Sequence, residues 1–102
     1  MLTFLMKFFG GKPVNYKELM NKGAIIADVR SASEYKEGHI PGSKNLPLDS
    51  IQKKVAELKK LNKPVITVCR SGARSGMAKN ILKSAGIDVY NGGPWTSLKT
   101  KL

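Results

Sequence analysis

Val65-Ile66-Thr67-Val68-Cys69-Arg70-Ser71-Gly72-Ala73-Arg74-Ser75 is the stretch that decides the fold. Its first four residues form an apolar run, which is the pattern of a strand buried on both faces. Helical spacing of apolar residues begins at Ser75 and continues to Ala85. A strand that leads through a glycine-containing turn into a helix directs backbone N–H groups and the positive end of the helix dipole at the turn, and both favour an anion. The sequence therefore predicts an anion site at this turn.

Cys69 is the only cysteine of the chain and stands in that turn. The anion that the turn favours is then the Cys69 thiolate. Arg70 and Arg74 flank it, and we expect both to lower the pKa of the thiol and to attract an anionic substrate. The alternative is a small buried apolar residue, since free cysteines are among the most buried residue types. The polar and basic neighbours favour a reactive thiol.

The rest of the chain alternates helical and strand patterns. Ser31 and Glu34 have the spacing of a capping box. The predicted elements are a helix capped by Asn15 and reaching Lys22, a strand over Ala24 to Val29, a short helix from the capping box to Gly38, at most a very short strand near Lys44 to Leu46, a helix capped by Asp49 or Ser50 and reaching about Lys60, a strand over Val65 to Val68, a helix over Ser75 to Ala85, a strand over Ile87 to Tyr90 and a terminal turn or two over Trp95 to Lys101. This alternation predicts an α/β fold, a parallel sheet flanked by helices on both faces. Ligands of such sheets bind beyond the carboxyl ends of the strands, where Cys69 lies.

Several short motifs share their order and spacing with one protein family. They are Asp28-Val29-Arg30, Glu34-Tyr35, Gly38-His39-Ile40-Pro41-Gly42-Ser43, Asn45-Leu46-Pro47-Leu48, the loop Cys69 to Ser75, and Asn91-Gly92-Gly93-Pro94-Trp95. With these motifs the sequence resembles the rhodanese family of sulfurtransferases over about residues 14–98. The resemblance implies a single rhodanese-like domain.

The resemblance also implies a persulfide relay on Cys69. The thiolate would attack a sulfane donor such as thiosulfate, a polysulfide or a low-molecular-weight persulfide, and a thiophilic acceptor, either a thiol or a protein, would later remove the sulfur. We expect no metal and no organic cofactor. The predicted substrate-binding residues are those of the loop, whose N–H groups would hold negative charge and whose arginines would orient the donor: Arg70, Ser71, Gly72, Ala73, Arg74 and Ser75. Ser71 and Ser75 can alternatively cap the following helix.

Six further residues are expected near the site in structural roles. Asp28 and Arg30 can satisfy loop N–H groups and pair with Glu34. His39 belongs to a stretch that is chiefly architectural in the resembling family, and a thiolate held by the loop needs no base. Gly93 and Trp95 are expected to shape the rim of the pocket.

Two other classes of function remain open. A phosphatase or an arsenate reductase also sets a cysteine in an arginine-closed loop, but that loop is longer than the four residues between Cys69 and Arg74. The chain also lacks the second cysteine that a redox-recycling reductase would use. A non-catalytic binding or regulatory module is the other alternative, because a fold does not fix a function.

The composition describes a small basic domain. The chain has 102 residues, which suits one domain, and a formal net charge of +11. The lysines are scattered and lack interleaved aromatic residues, so we expect no nucleic-acid partner; the charge would instead speed the capture of small anions or acidic proteins. One cysteine excludes an internal disulfide and fits a reducing compartment, so we expect a cytoplasmic protein.

The first residues form an apolar extension, Met1-Leu2-Thr3-Phe4-Leu5-Met6-Lys7-Phe8-Phe9. It is too short to span a bilayer and lacks the features of a signal peptide. Such a segment packs on its domain, pairs with a second copy in a homodimer, or touches a membrane or partner, and we favour the first two. The predicted division is residues 1–13 as extension and linker and residues 14–102 as the rhodanese-like domain.

Overall fold

The structure, a computed structural model, describes residues 13–102. The predictions for the apolar extension therefore concern residues outside the described part. The helices are α1 (Tyr16–Asn21), α2 (Ala32–Glu37), a 3₁₀ helix (Leu48–Lys54), α3 (Val55–Leu61), α4 (Ala73–Ser84) and α5 (Trp95–Lys99). The strands are β1 (Ile25–Asp28), β2 (Lys44–Asn45), β3 (Val65–Cys69) and β4 (Val89–Pro94).

The four strands form one sheet in the order β2-β1-β3-β4, and every neighbouring pair is parallel. One face of the sheet packs on the 3₁₀ helix, α3 and α4 through Ile51, Leu58 and Leu82. The other face packs on α1 and α5 through Leu19 and Leu98. The predicted α/β fold with helices on both faces of a parallel sheet is confirmed.

Local capping signals place two of the helices as predicted. The Asn15 side chain accepts a hydrogen bond from the Glu18 N–H and caps α1. Ser31 and Glu34 form both bonds of a capping box at the start of α2, and Gly38 follows its last residue. Hydrogen bonds of this kind involve residues three apart, so a short stretch of sequence is enough to specify them.

The bounds of three elements differ clearly from the prediction. The helix expected to be capped by Asp49 or Ser50 starts earlier, with the 3₁₀ helix, which follows Pro47 and has no side-chain cap. The Ser50 hydroxyl bonds the Pro47 carbonyl instead, at 3.2 Å. Helix α4 starts at Ala73 rather than Ser75, and β4 runs from Val89 to Pro94 rather than from Ile87 to Tyr90.

Glycine lets β4 approach β3 closely at the end of the sheet that carries the cysteine. A Cβ atom on Gly92 would lie 2.9 Å from Ile66 Cγ2 and 3.1 Å from the Thr67 carbonyl oxygen, so no side chain fits there. The pairing of the two strands shifts between Thr67 and Val68 at this point. The bulge brings the end of β4 against the turn that follows β3.

No helix between residues 13 and 102 combines the length and apolar character needed to cross a membrane.

Candidate active site

Cys69 is the last residue of β3, and none of its surface is exposed. Its Sγ accepts hydrogen bonds from the backbone N–H of Gly72 at 3.0 Å and of Ser75 at 3.4 Å, and it lies 3.3 Å from Ser75 Oγ. Gly72 has φ of 100°, a left-handed conformation that glycine adopts without strain, and it precedes the first residue of α4. The turn and the helix start thus direct their N–H groups at one sulfur atom.

These contacts set the ionisation of Cys69. Burial raises the pKa of the thiol, but hydrogen bonds from the Ser75 side chain and from the backbone of Ser75, Gly72 and Ser71 lower it, and the net pKa lies below the ordinary value of a cysteine. Hydrogen bonds to the charged form favour that form. The arrangement therefore favours ionisation of the Cys69 thiol.

Ser75 does not cap α4. It is the third residue of that helix and fully buried, and its hydroxyl donates to Asn91 Oδ1 at 2.7 Å while lying against Cys69 Sγ. Its carbonyl accepts a bond of 2.9 Å from the hydroxyl of Thr67, which is itself fully buried in β3. Ser71 Oγ accepts a 3.4 Å bond from the Ala73 N–H at the start of the helix.

Arg74 is held by a carboxylate. Its two terminal nitrogens donate to the two oxygens of Glu34 at 2.7 and 2.9 Å, and both side chains are about one-third exposed. The same carboxylate closes the capping box by accepting from the Ser31 N–H at 3.1 Å. The Arg74 bonds and then the Ser31 backbone bond hold the pKa of Glu34 far below its usual value. One carboxylate therefore ties the start of α2 to the start of α4.

Asp28 and Arg30 pair with each other rather than with Glu34. Arg30 Nε and Nη2 donate to the Asp28 carboxylate at 2.9 and 2.7 Å, and the two side chains are only 5% and 0% exposed. Arg30 also donates to the carbonyl oxygens of Glu34 and Gly38, and its guanidinium lies 4.8 Å from the centre of the Trp95 ring. The buried pair thus connects β1, the end of α2 and the start of α5.

A shallow depression of about 410 Å³ lies beside the cysteine loop. Arg70 and Trp95 are part of its wall, together with Arg30, Glu34, Glu37, Gly38 and Thr96. Arg70 is exposed, whereas Arg74 is bound to Glu34. Of the two arginines of the loop, Arg70 is thus the one whose charge is open to solvent.

His39 makes its contacts within the segment that carries α2. Its Nδ1 is 2.7 Å from the Tyr35 carbonyl oxygen, and its ring stacks on the Tyr35 ring with the centres 3.7 Å apart. In residues 13–102, the side chains of His, Cys, Asp and Glu form no group of three or more that would suit a metal ion.

Two polar residues of the site were missed by the sequence analysis as functional candidates. In the sequence, Thr67 lies within an otherwise apolar run, and Asn91 is recognised only as part of a family motif. Asn91 Oδ1 accepts from the Ser75 hydroxyl and from the Gly93 N–H, and its Nδ2 donates to the Gly72 carbonyl at 3.3 Å. The available signal was a polar side chain at the carboxyl end of the strand next to the cysteine strand.

Fold and site together define a parallel α/β domain with a thiolate-stabilising cysteine turn at the carboxyl edge of its sheet. The model of the Rhodanese-like domain matches residues 12–94. The chain therefore belongs to the rhodanese-like domain family.

Individual relatives have moderate similarity to the chain. The uncharacterised protein YqhL of Bacillus subtilis is 36% identical over 69 residues, which are 67% of this chain but only 54% of YqhL. The thiosulfate sulfurtransferase GlpE of Pseudoalteromonas translucida is 40% identical over 76 residues, covering 72% of this chain and 71% of that protein. A solved structure described as a rhodanese with anions from Escherichia coli superposes with a TM-score of 0.66 at 32% identity, over 72% of this chain and 88% of that one.

Proposed function

We propose that this protein is a sulfurtransferase that carries sulfane sulfur as a persulfide on Cys69. The observation that supports this most directly is the set of backbone N–H groups, those of Gly72 and Ser75, that donate to Sγ. Such donors stabilise both an attacking thiolate and the negative charge of a loaded persulfide. The similarity to a protein named thiosulfate sulfurtransferase supports thiosulfate as one donor.

The proposed reaction has two transfers. The Cys69 thiolate attacks the outer sulfur of thiosulfate, a new S–S bond forms, and the bond to the sulfonate sulfur breaks with its electron pair on the departing sulfite. A nucleophilic acceptor such as cyanide or a thiolate then attacks the outer sulfur of the persulfide, which returns Cys69 to the thiolate. Polysulfides and low-molecular-weight persulfides react in the same way with a different leaving group.

Each of the other predicted site residues has a proposed role in this scheme. The backbone of Ser71, Gly72, Ala73 and Ser75 forms the cradle for the sulfur, and Arg70 attracts the anionic end of the donor. Arg74 contributes positive charge to the site while Glu34 fixes its position. The remaining residues, Asp28, Arg30, His39, Gly93 and Trp95, hold the walls of the site. We place the protein in the cytoplasm, where a reducing environment keeps its thiol free.

Intact mass spectrometry tests this function directly. The protein is incubated separately with thiosulfate, a polysulfide and a glutathione persulfide, and we expect at least one of them to add one sulfur atom to the chain. Cys69→Ser should accept none and should lose transfer to cyanide or a small thiol, because its hydroxyl forms no persulfide. Transfer activity retained in Cys69→Ser would refute the proposal.

The same protein samples discriminate the alternative functions. Hydrolysis of para-nitrophenyl phosphate that disappears in Cys69→Ala would indicate a phosphatase. A chain that takes sulfur from none of the donors would indicate a non-catalytic module. We expect neither result.

A further inference from the structure

We propose that Asn91 is a positioning residue for Cys69 and that it acts through the hydroxyl of Ser75. The proposal deepens the proposed function, on which its importance for sulfur transfer rests. Its own basis is the geometry of three side chains in a row: Cys69 Sγ lies 3.3 Å from Ser75 Oγ, which lies 2.7 Å from Asn91 Oδ1.

The Ser75 hydroxyl has a single hydrogen and two acceptors that compete for it. A serine hydroxyl donates one hydrogen bond, although its oxygen can accept others. While Ser75 donates to Asn91, its oxygen can act towards Cys69 only as an acceptor of the thiol hydrogen. The lowering of the Cys69 pKa by the Ser75 side chain belongs to the other position of the hydroxyl, in which it donates to the sulfur. Once Cys69 is a thiolate, the sulfur has no hydrogen to give and becomes an acceptor itself. Ser75 can then stabilise the thiolate only by turning its hydrogen away from Asn91.

The surroundings of Asn91 make this rotation inexpensive. Its Nδ2 donates to the Gly72 carbonyl at 3.3 Å, and its Oδ1 also accepts from the Gly93 N–H at 2.9 Å. The two bonds fix which end of the amide faces Ser75. When the hydroxyl turns to the sulfur, Oδ1 keeps the Gly93 bond and is not left without a partner, which would otherwise carry a desolvation penalty. The hydroxyl therefore has two satisfied positions, one for the thiol and one for the thiolate.

It follows that Asn91 and the Cys69 thiolate compete for the hydroxyl hydrogen of Ser75. The stronger the acceptor at position 91, the less the Ser75 hydroxyl stabilises the thiolate. Arg74 interacts electrostatically with Cys69, and other charged or titratable groups lie on the elements packed around the site. The experiment must hold all of them constant: Arg70, Arg74, Asp28, Arg30, Glu34, Tyr90 and Asp88. Substitutions at Asn91 and Ser75 leave all of them in place.

The test measures how much the Ser75 hydroxyl lowers the pKa of Cys69 in three backgrounds. Ser75→Ala is made in the wild-type chain, in Asn91→Ala and in Asn91→Asp, and the pKa of Cys69 is obtained from the pH dependence of alkylation by iodoacetamide, followed by intact mass. Ser75→Ala should raise this pKa by about 0.5 to 1 in the wild type, the scale of one hydrogen bond. The increase should be larger in the Asn91→Ala background, where no amide competes for the hydroxyl hydrogen, and smaller in Asn91→Asp, where a stronger acceptor does. Asn91→Ala alone should lower the pKa of Cys69.

This design separates positioning from mere support of the fold. A structural effect of Asn91, or the charge added in Asn91→Asp, would shift the pKa equally with and without the Ser75 hydroxyl. Asn45→Ala serves as the matched control, because Asn45 also donates from its amide to two backbone carbonyls, at 3.1 and 2.9 Å, but has no bond to Ser75. We expect it to lower the melting temperature without changing how much Ser75→Ala raises the pKa.

Equal effects of Ser75→Ala in all three backgrounds would overturn the proposal, as would a higher pKa in Asn91→Ala. If Asn91→Ala does not fold, the comparison of the wild type with Asn91→Asp decides by the same criterion. Alkylation by iodoacetamide needs no sulfur transfer, so this test does not depend on the outcome of the sulfur-loading experiment. A protein that takes sulfur from no donor would refute the proposed function, but the effect of Asn91 on the pKa of Cys69 could still be measured.

Discussion

The buried pair of Asp28 and Arg30 gives the sharpest prediction for stability. In Arg30→Met the Asp28 carboxylate keeps the 3.1 Å bond from the backbone N–H of residue 30 but loses its guanidinium partner. Because the carboxylate is 0% exposed, water does not replace that partner. Breaking a buried pair from one side costs about 3–5 kcal/mol. For a domain of this size we expect the melting temperature to fall by at least about 12 °C.

The double variant is the decisive measurement. Asp28→Asn in the Arg30→Met background removes the unpaired charge, so Asp28→Asn/Arg30→Met should be more stable than Arg30→Met alone. Urea denaturation of the wild type, both single variants and the double variant gives the coupling free energy. Arg70→Met is the matched control, because Arg70 is exposed, and its stability should lie within about 0.5 kcal/mol of the wild type. A double variant less stable than Arg30→Met would refute the reasoning.

The same variants test whether the pair is structural. At a temperature where Arg30→Met is folded, thiosulfate should still load Cys69 with sulfur, because we expect Arg30 to hold the wall of the site rather than the donor. Complete loss of loading in a folded Arg30→Met would instead give Arg30 a direct part in the chemistry.

Three further predictions follow from individual contacts. Arg70→Ala should lower kcat/KM for thiosulfate by roughly tenfold or more, the scale of a charge-assisted hydrogen bond. Arg74→Ala should raise KM less and lower the melting temperature more, because Arg74 is already bound to Glu34. Steady-state kinetics and melting curves check this, and equal kinetic effects of the two variants would contradict it. The pKa of Glu34 is lower in the folded state than in the unfolded state, so its pairing stabilises the fold above the ordinary carboxyl range near pH 4, and this stabilisation is lost as the pH falls below that range. The difference in melting temperature between the wild type and Glu34→Gln should therefore become smaller on acidification. A difference that is constant with pH would disprove this. Gly92→Ala should destabilise by about 1–3 kcal/mol through overpacking against β3, and a melting temperature like that of the wild type would show that β4 can move away.

Local patterns in the sequence specified most of the fold. The capping box of Ser31 and Glu34 and the apolar run of β3 are written in adjacent residues, and both were predicted correctly. The start of the 3₁₀ helix was not, because it depends on a distant contact: the Leu48 N–H bonds the Val29 carbonyl at 3.0 Å. The extent of β4 likewise depends on the bulge in its pairing with β3. The alternation of apolar and polar residues that indicates a strand gives no sign of such a bulge.

The site was predictable only in part, for the same reason. Cys69, the proposed nucleophile, stands in a motif and needs no partner to be recognised. The partner of Arg74 is a carboxylate 40 residues earlier, and the partner of the Ser75 hydroxyl is an amide 16 residues later. The sequence predicts that Asp28 and Arg30 pair with Glu34, but Glu34 binds Arg74. The sheet order decides otherwise, since it places α2 beside the start of α4.

Because Cys69 is completely buried, the ionisation of its thiol and the access of reagents to its sulfur are separate conditions for reaction. A thiolate on an open surface would meet every oxidant and disulfide that diffuses past, and its low pKa would make it vulnerable. Here the thiol has a lowered pKa but is covered, so a reagent reaches the sulfur only if the turn moves aside. The observed rate is then the product of the ionised fraction, the fraction of molecules in which the turn is open and the intrinsic reactivity of the thiolate. The pKa of Cys69 affects the first and the third, whereas the second depends on the cover of the turn. Two donors of equal chemistry but unequal bulk should thus differ in rate, and the cover of the turn becomes a filter on the size of the reagent.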